Sequence, residues 1–321
     1  MKPRQGAPEP SGGALETLIG RTKGSRPPDN VRLARFLVAG SLNMDLAFDV
    51  PHLPRAGEAV HADRLRRDLG GKGFNQAVAI RRLGAEVAMV GAVGEDAFGY
   101  QFLDRLGELG INRDGVRQIA GAATGTAVPV VDRAGANFIV VAMGANLDPS
   151  VGEIPEALWA GIDILLLQGE LAPEVTLRLA AGARTRGVPF LLNLAPADPR
   201  LEPAVAGAAV VVVNEVEAAD LVGAARLLKL GAGSVVVTLG PAGAEIHVSG
   251  EVARVTSPRL QAVDSTGAGD AFCAALAVQL AANTPLPEAV RWACAAGAAA
   301  CLKPGTSGSM PDRAEVEALL H

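Results

Sequence analysis

Residues 208–220 read AAVVVVNEVEAAD, an apolar, β-branched run that changes at Asn214 into a short helical pattern. A run that is apolar at every position is typical of a strand covered by helices on both faces of a parallel sheet. Similar runs occur in RFLVAG (35–40), VAMVGAVG (87–94), DILLLQ (163–168), VPFLLNLA (188–195) and SVVVTLG (234–240). This segment and the similar runs together predict an α/β fold with a mostly parallel central sheet.

Helical patterns alternate with these strands and place helices on both sheet faces. They cover residues 74–83, 98–109, 174–185, 215–221 and 224–231, and after residue 250 the chain is predicted to continue as helices at 268–282, 286–302 and 312–320. Two segments depart from the alternation, at 45–68 and 126–142, and resemble short antiparallel strands. We expect them to form a small sheet that extends from the main one, within a single domain at 33–321.

Composition narrows the function classes. The chain has 321 residues, 49% of them apolar, a net charge of −5 and only 3% aromatic residues. Without a basic run or aromatic platforms, nucleic-acid binding is not expected, and the apolar runs are too short to cross a membrane. Residues 1–32, rich in Pro, Gly and charge, are predicted to be a disordered tail without a signal peptide.

Cysteine and histidine usage predicts a reduced protein without a zinc site. Three cysteines occur, at 273, 294 and 301, with no CxxC spacing, which is typical of core residues in a cytoplasmic protein. The four histidines are scattered.

A glycine turn at residues 264–272, DSTGAGDAF, precedes an alanine-rich helical pattern. The backbone amides of Gly267, Ala268 and Gly269 at such a helix start can bind an anion. Asp270 in the first turn, kept ionised by the same dipoles, can accept the proton of a hydroxyl group. The turn is not a dinucleotide fingerprint, because Phe272 stands where a small residue belongs. An N-capped helix that happens to carry an aspartate explains the turn equally well.

A second glycine cluster, LGGKGFNQA at 69–77, surrounds Lys72 and leads through Asn75 into an amphipathic helix. Glycines let a backbone approach a ligand closely, and lysine and asparagine supply donors. Upstream, NMD at 43–45 puts Asn43 and Asp45 on one face at the carboxyl end of the first strand, where they can grip paired hydroxyls. The simpler alternative for residues 69–77 is a flexible loop before a helix, and the simpler alternative for Asn43 and Asp45 is that they cap a loop.

Six motifs together resemble the ribokinase family of carbohydrate kinases over residues 35–320. They are NMD (43–45), GGKGFNQA (70–77), QGE (168–170), NEVE (214–217), TLGPAG (238–243) and DSTGAGDAF (264–272), in the order typical of that family. The resemblance implies a three-layer sandwich, with a central mostly parallel sheet and a small β-sheet lid that covers the sugar and mediates a homodimer.

The resemblance also implies residue roles. Asp270 resembles the catalytic base, with Gly267, Ala268 and Gly269 as the anion hole. The sugar contacts would be Asn43, Asp45, Gly71, Lys72, Gly73, Asn75 and Glu170, together with Asp270. The nucleotide and its Mg²⁺ would be near Asn214, Glu217, Thr238, Gly240, Gly243, Gly269 and Cys294. A monovalent cation such as K⁺ would bind near Asp264, Thr266, Ala300, Lys303, Gly305 and Ser309.

The implied reaction is ATP-dependent phosphorylation of D-ribose at O5, with deoxyribose, a ketohexose or a nucleoside as alternative substrates. A sugar-binding protein without catalysis is a further alternative, although binding alone does not require a base at Asp270. A nicotinamide-dependent reductase is not expected, since AGSLNM at 39–44 lacks the required glycines. The chain departs from the family in a short 222–234 segment, in NLAPA at 193–197 and in Cys294, where a polar residue is usual.

Overall fold

The computed structural model describes residues 33–320, and the tail predicted at 1–32 lies outside the described residues. A central sheet of nine strands runs in the order β13-β12-β11-β10-β9-β8-β1-β4-β5. Its strands are β1 (Arg35–Ala39), β4 (Glu86–Gly94), β5 (Asn112–Ile119), β8 (Ile164–Gln168), β9 (Phe190–Asn193), β10 (Val210–Asn214), β11 (Val235–Thr238), β12 (Ala244–Val248) and β13 (Glu251–Val255). All neighbours pair in parallel except β12, which is antiparallel to both β11 and β13.

A second sheet of four strands confirms the predicted small sheet. It contains β2 (Asn43–Val50), β3 (Arg64–Gly70), β6 (Gly125–Asp132) and β7 (Asn137–Ala142), in the order β3-β2-β6-β7. The central pair β2–β6 is parallel, and each outer pair is antiparallel. In the β6–β7 turn the carboxylate of Asp132 accepts hydrogen bonds from the amides of Ala134 and Ala136, both at 2.9 Å.

The described helices agree with most of the predicted positions. They are α1 (Lys72–Arg82), α2 (Ala97–Glu108), α3 (Glu156–Trp159), α4 (Pro173–Arg186), α5 (Glu202–Val205), α6 (Glu215–Asp220), α7 (Ala224–Lys229), α8 (Ala268–Ala281), α9 (Leu286–Ala300) and α10 (Arg313–Glu317). Within residues 33–320, no helix combines the length and the apolar character that crossing a membrane requires.

Two apolar cores lie on opposite faces of the main sheet, as the three-layer sandwich requires. In β1, Phe36 and Val38 point to a core shared with α1, α8 and α9, whereas Leu37 and Ala39 point to a core shared with α4 and α5. All four side chains are buried. The period of two in side-chain direction thus explains why these strands are apolar at every position.

Three strands escaped prediction, and one predicted position was wrong. β5 and β13 read NRDGVRQI and EVARV and are partly or wholly exposed, because edge strands of a sheet have no helix over much of their surface. β12 was also not predicted, and β13 shows that the chain does not turn wholly helical after residue 250. Asn43 does not end the first strand: β1 ends at Ala39, and Asn43 begins β2 of the small sheet.

Candidate active site

The glycine turn forms the N-terminus of α8 as predicted. Gly267 is the N-cap residue with a left-handed φ of 77°, and a Cβ there would lie 2.6 Å from Cε of Met310, so only glycine fits without strain. The Ala268 amide donates to the carbonyl of Ser265 (3.2 Å), whereas the amides of Gly267 and Gly269 have no acceptor within residues 33–320. Two of the three predicted amides are therefore available to an anion.

Asp270 lies in the first turn of α8 with only 6% of its surface exposed. Its Oδ2 accepts a hydrogen bond from Nδ2 of Asn75 (2.9 Å), and its Oδ1 accepts one from Nε2 of Gln76 (3.3 Å). Burial raises the pKa of Asp270, although the charge of Lys72 and the Asn75 hydrogen bond oppose the rise. The expectation that helix dipoles keep this carboxylate ionised was therefore incomplete, since desolvation has the larger effect.

A chain of buried side-chain amides supports Asp270, and its members Gln76, Gln168 and Asn193 were not predicted as site residues. Nε2 of Gln168 donates to Oε1 of Gln76 (2.7 Å), and Nε2 of Gln76 also reaches Oδ1 of Asn193 (3.3 Å). Gln168 and Asn193 are the last residues of β8 and β9, where each apolar strand becomes polar. This change from apolar to polar residues at the end of each strand was the signal in the sequence that could have identified Gln168 and Asn193. The buried oxygens Oδ1 of Asn75 and Oε1 of Gln168 have no partner among the described residues, so they can accept from a ligand.

Two further carboxylates, those of Glu170 and Asp45, lie close enough to Asp270 to interact with it electrostatically. Oε2 of Glu170 accepts hydrogen bonds from the Lys72 backbone amide (3.1 Å) and from Oγ of Ser41. Burial favours the neutral amine of Lys72, but the carboxylates of Asp270 and Glu170 outweigh burial and raise its pKa. Asp45 is half-buried beside Asp68 and Glu170, and partial burial together with these charges raises its pKa to about 7. The site thus combines one cation with several carboxylates, a composition suited to sugar hydroxyls.

The glycines around Lys72 serve close packing of the chain against itself. Gly71 has a φ of 88°, and a Cβ on it would lie 2.7 Å from the Asn43 amide nitrogen. A Cβ on Gly73 would lie 2.6 Å from Cα of Gly40. Oδ1 of Asn43 accepts from Nδ2 of Asn146 (2.8 Å), which fixes its orientation. The fold itself requires these glycines, and their contact with a sugar stays a prediction.

Most of the residues predicted to bind nucleotide lie at or just after the carboxyl ends of β10 and β11, whereas Gly269 lies in α8 and Cys294 in α9. Asn214 and Thr238 are register partners on these strands. Asn214 and Glu217 form a reciprocal capping box at α6, with both bonds at 2.8 Å. Gly243 has a φ of 104°, and a Cβ on it would lie 2.0 Å from the Val255 carbonyl oxygen; Gly240 begins the same turn, with a φ of 54°. Cys294 is buried in α9, where burial raises its pKa to about 11.

The predicted cation residues form one connected pair of loops. Oδ1 of Asp264 accepts from the amide (2.9 Å) and the hydroxyl (2.6 Å) of Thr266, and its Oδ2 accepts from the Gly305 amide (3.1 Å). Burial works against ionisation of Asp264, but these bonds and the charge of Arg66 lower its pKa. Oγ of Ser309 donates to the carbonyl of residue 306 at 2.7 Å. The remaining two residues, Ala300 and Lys303, are joined by a backbone hydrogen bond of 3.4 Å.

Comparison with known protein families decides the assignment. The family model described as pfkB family carbohydrate kinase matches residues 34–313. The chain belongs to this family. Membership in the pfkB family makes it a kinase with an alcohol group as acceptor, and the predicted family resemblance is confirmed.

Similar proteins within the pfkB family include several ribokinases. The ribokinase of Schizosaccharomyces pombe is 34% identical over 89% of this chain and 97% of its own length. That of Bacillus subtilis is 36% identical over 88% and 98%. The crystal structure of ribokinase from Thermotoga maritima superposes with a TM-score of 0.83 at 31% identity, over 90% of this chain and 99% of that one. The Arabidopsis thaliana ribokinase complexed with ribose and ATP has a TM-score of 0.78 at 30% identity, with the same two coverages.

Proposed function

We propose that this pfkB family kinase transfers the γ-phosphoryl group of ATP to O5 of D-ribose. The observation that carries the proposal is the position of Asp270, a buried carboxylate that is hydrogen-bonded to Asn75 and lies in the same helical turn as two amides with no acceptor among the described residues. A base must lie next to the site where negative charge develops on the transferred group, and this arrangement supplies both. The relatives named as ribokinases support ribose as the sugar.

Catalysis in this proposal depends on positioning and on charge neutralisation. Asp270 accepts the proton of the attacking hydroxyl, and the amides of Gly267 and Gly269 stabilise the charge on the γ-phosphoryl oxygens. Asn43, Asp45 and Glu170 hold the other sugar hydroxyls, with Gly71, Lys72, Gly73 and Asn75 completing the pocket. The small sheet acts as the lid that excludes water during transfer.

A sugar fits this site better than a nucleoside. A nucleoside base requires an aromatic or apolar slot, and Phe74 is the aromatic residue closest in sequence to the site residues. Phe74 is fully buried in the core, with its ring perpendicular to that of Phe102 at a centroid distance of 5.0 Å. It therefore offers no face to a base. The curated deoxyribokinase of Salmonella typhimurium, 31% identical over 85% of this chain, keeps deoxyribose as the second candidate.

Mg²⁺ and K⁺ fit residues at two edges of the site. Within residues 33–320, no three Asp, Glu, His or Cys side chains converge to hold a metal by themselves. Mg²⁺, which retains several waters and binds phosphate oxygens, would reach Asn214 and Glu217 through water. The ionised Asp264, with the hydroxyl of Ser309 and nearby backbone carbonyls, gives an oxygen-only donor set that suits K⁺. Bound Mg²⁺ would supply charge neutralisation at the phosphates.

We further propose a cytoplasmic homodimer formed through the lid. The edge strand β7 exposes a run of apolar side chains, with Ile139 and Val140 each 59% exposed, Val141 47% and Phe138 38%. An exposed apolar edge strand pairs readily with another strand. Replacing Ile139 and Val141 with lysine should convert a dimer into a monomer in analytical ultracentrifugation, and an unchanged mass would contradict the lid interface.

The decisive experiment replaces Asp270 with asparagine. Because burial already favours the neutral carboxyl, Asp270→Asn should keep the fold and thermal midpoint of the parent. We expect kcat with ribose to fall about 10³-fold, while the ribose dissociation constant stays within about threefold. Asp148→Asn, an isosteric change at an N-cap outside the proposed site, is the control and should keep parental kcat. Full activity of Asp270→Asn would refute the assigned base.

A substrate panel tests the choice of sugar. Ribose, deoxyribose, fructose and adenosine at equal ATP should give the highest kcat/KM for ribose. Sugar binding without turnover on every member would instead favour a binding protein.

A further inference from the structure

A hydrogen-bonded pair connects the lid to the loop at residues 303–309. Oδ2 of Asp68, on lid strand β3, accepts hydrogen bonds from both the amide (2.8 Å) and the hydroxyl (2.9 Å) of Thr306. The hydroxyl also lies 3.3 Å from the carbonyl oxygen of Leu69, and Thr306 is 7% exposed. Charge-assisted bonds of this kind are among the stronger ones in proteins. No family motif in the sequence includes either residue of the pair.

A carboxylate at position 68 destabilises the lid sheet unless a neighbouring group donates hydrogen bonds to it. Asp68 is the register partner of Asp45 across β2 and β3, so two carboxylates face each other on the same side of the lid. Like charges placed directly opposite destabilise a sheet. The hydroxyl of Thr306 also favours the ionised form of Asp45 and opposes the rise in its pKa. The two donors of Thr306 offset the repulsion, which gives a physical reason for a carboxylate at position 68.

The same threonine lies next to the predicted anion hole. A Cβ placed on Gly267 would lie 3.6 Å from the carbonyl oxygen of Thr306 and 3.8 Å from its Cα, so the two loops run side by side, about one side-chain carbon apart. The amide of Gly305 is bonded to Asp264, which in turn holds Thr266 next to Gly267. A continuous set of contacts therefore runs from the lid, through Thr306, to the N-terminus of α8.

We propose that Asp68 is a positioning residue for phosphoryl transfer. Strand β3 of the lid faces the sugar, and the hydrogen bonds between Asp68 and Thr306 connect this strand to the turn at residues 267–269. The lid thereby fixes the turn whose amides face the phosphoryl group. The inference rests on the proposed function in that it uses ribose as the substrate. It assigns no contact between Asp68 and the sugar. Its effect should consequently appear in kcat and in the mobility of the loop, and not in the affinity for ribose.

Three variants and one control test this pair. Asp68→Ala removes both hydrogen bonds and should lower kcat about tenfold, with the KM for ribose within about twofold of the parent. Thr306→Val keeps the amide bond and should lower kcat about threefold, whereas Thr306→Ser should restore the parental rate. Asp63→Ala is the control. Asp63 lies next to β3 on the same hairpin as Asp68, but it pairs with Arg133 of the β6–β7 turn at 2.8 Å, so its substitution should leave kcat unchanged.

Hydrogen exchange of the substrate-free protein gives a readout that does not depend on activity. In Asp68→Ala the hydrogen-bonded amides of Thr306, Gly305 and Ala268 should exchange about tenfold faster than in the parent, and in Asp63→Ala at the parental rate. Parental exchange in Asp68→Ala would overturn the proposal, and so would faster exchange with an unchanged kcat. A rise in KM alone would overturn it too. If the parent phosphorylates another sugar of the panel, the function proposal fails separately, and the same comparison is made with that sugar.

Discussion

Asp45 should make sugar binding depend on pH near neutrality. Its carboxyl is half-buried on β2 near three other carboxylates, those of Asp68, Glu170 and Asp270, and the hydroxyl of Thr306 opposes their effect. Burial is the largest cause and, together with these charges, raises the pKa of Asp45 from 3.8 to about 7. Without a ligand, the carboxyl is therefore protonated at weakly acidic pH and ionised at weakly alkaline pH.

The size of the effect follows from this pKa. With a pKa of about 7, about one tenth of Asp45 is ionised at pH 6 and about nine tenths at pH 8. Sugar hydroxyls donate to a carboxylate and favour its ionised form, so binding lowers the pKa and affinity increases with pH. If only the ionised form binds well, the association constant for ribose rises about tenfold between pH 6 and pH 8.

Calorimetric titration of ribose at pH 6, 7 and 8 without nucleotide measures this directly. Asp45→Asn should bind more weakly and lose the pH dependence, whereas Asp49→Asn, on the same strand but paired with Arg66 at 3.0 Å, should retain it. The free energy of unfolding depends on pH in the opposite direction to the affinity for ribose. Because the folded state holds the proton up to about pH 7, ionisation of Asp45 reduces the free energy of unfolding as pH rises, and Asp45→Asn should be the more stable protein at pH 8. A dissociation constant independent of pH in the parent would refute the reasoning.

Two other predictions concern stability. Gly73→Ala would force a Cβ to within 2.6 Å of Cα of Gly40, so we expect denaturant unfolding to show a loss of about 3 kcal/mol. Gly107→Ala, also helical but with open space around it, should gain about 0.5 kcal/mol and serves as its control. Asp96 caps α2 and accepts from the Thr124 amide at 2.7 Å, so Asp96→Ala should cost about 2 kcal/mol at pH 7. Although burial opposes it, hydrogen bonding lowers the pKa of Asp96 below 3.8. The contribution of the ionised carboxylate is present above pH 3.8 and is lost as pH falls through the lower folded pKa, so the difference between the thermal midpoints of parent and variant should shrink as the pH falls below 3.8.

Continuous apolar runs made the centre of the fold predictable. Strands such as β10 are buried on both faces and so carry no polar positions that confuse their assignment. The edge strands β5 and β13 follow no such rule, because each pairs with only one neighbouring strand and helices leave much of one face uncovered. The glycine turn before α8 was also predictable, since a left-handed N-cap at Gly267 admits no other residue without strain.

The inner layer of the site was not predictable, because it depends on contacts between distant segments. Gln168 and Gln76 are 92 positions apart and appear in the sequence as single polar residues. Asp68 and Thr306 are 238 positions apart, and neither belongs to a recognisable motif. The raised pKa of Asp45 likewise arises from burial and from carboxylates on separate elements of the fold. Residue type and spacing identified the catalytic turn, but only tertiary structure shows what fixes it.

The late position of α8 in the chain has a consequence for biosynthesis. Its residues from Asp270 to Gln279 are all buried, and it follows every described strand, the last of which ends at Val255. While the ribosome is still translating this region, one face of the main sheet lacks two of the helices that cover it, and its apolar side chains are open to water. Nascent chains in that condition aggregate readily and are typical clients of chaperones. Translation that stops before α8 should therefore leave a fragment that is both inactive and insoluble.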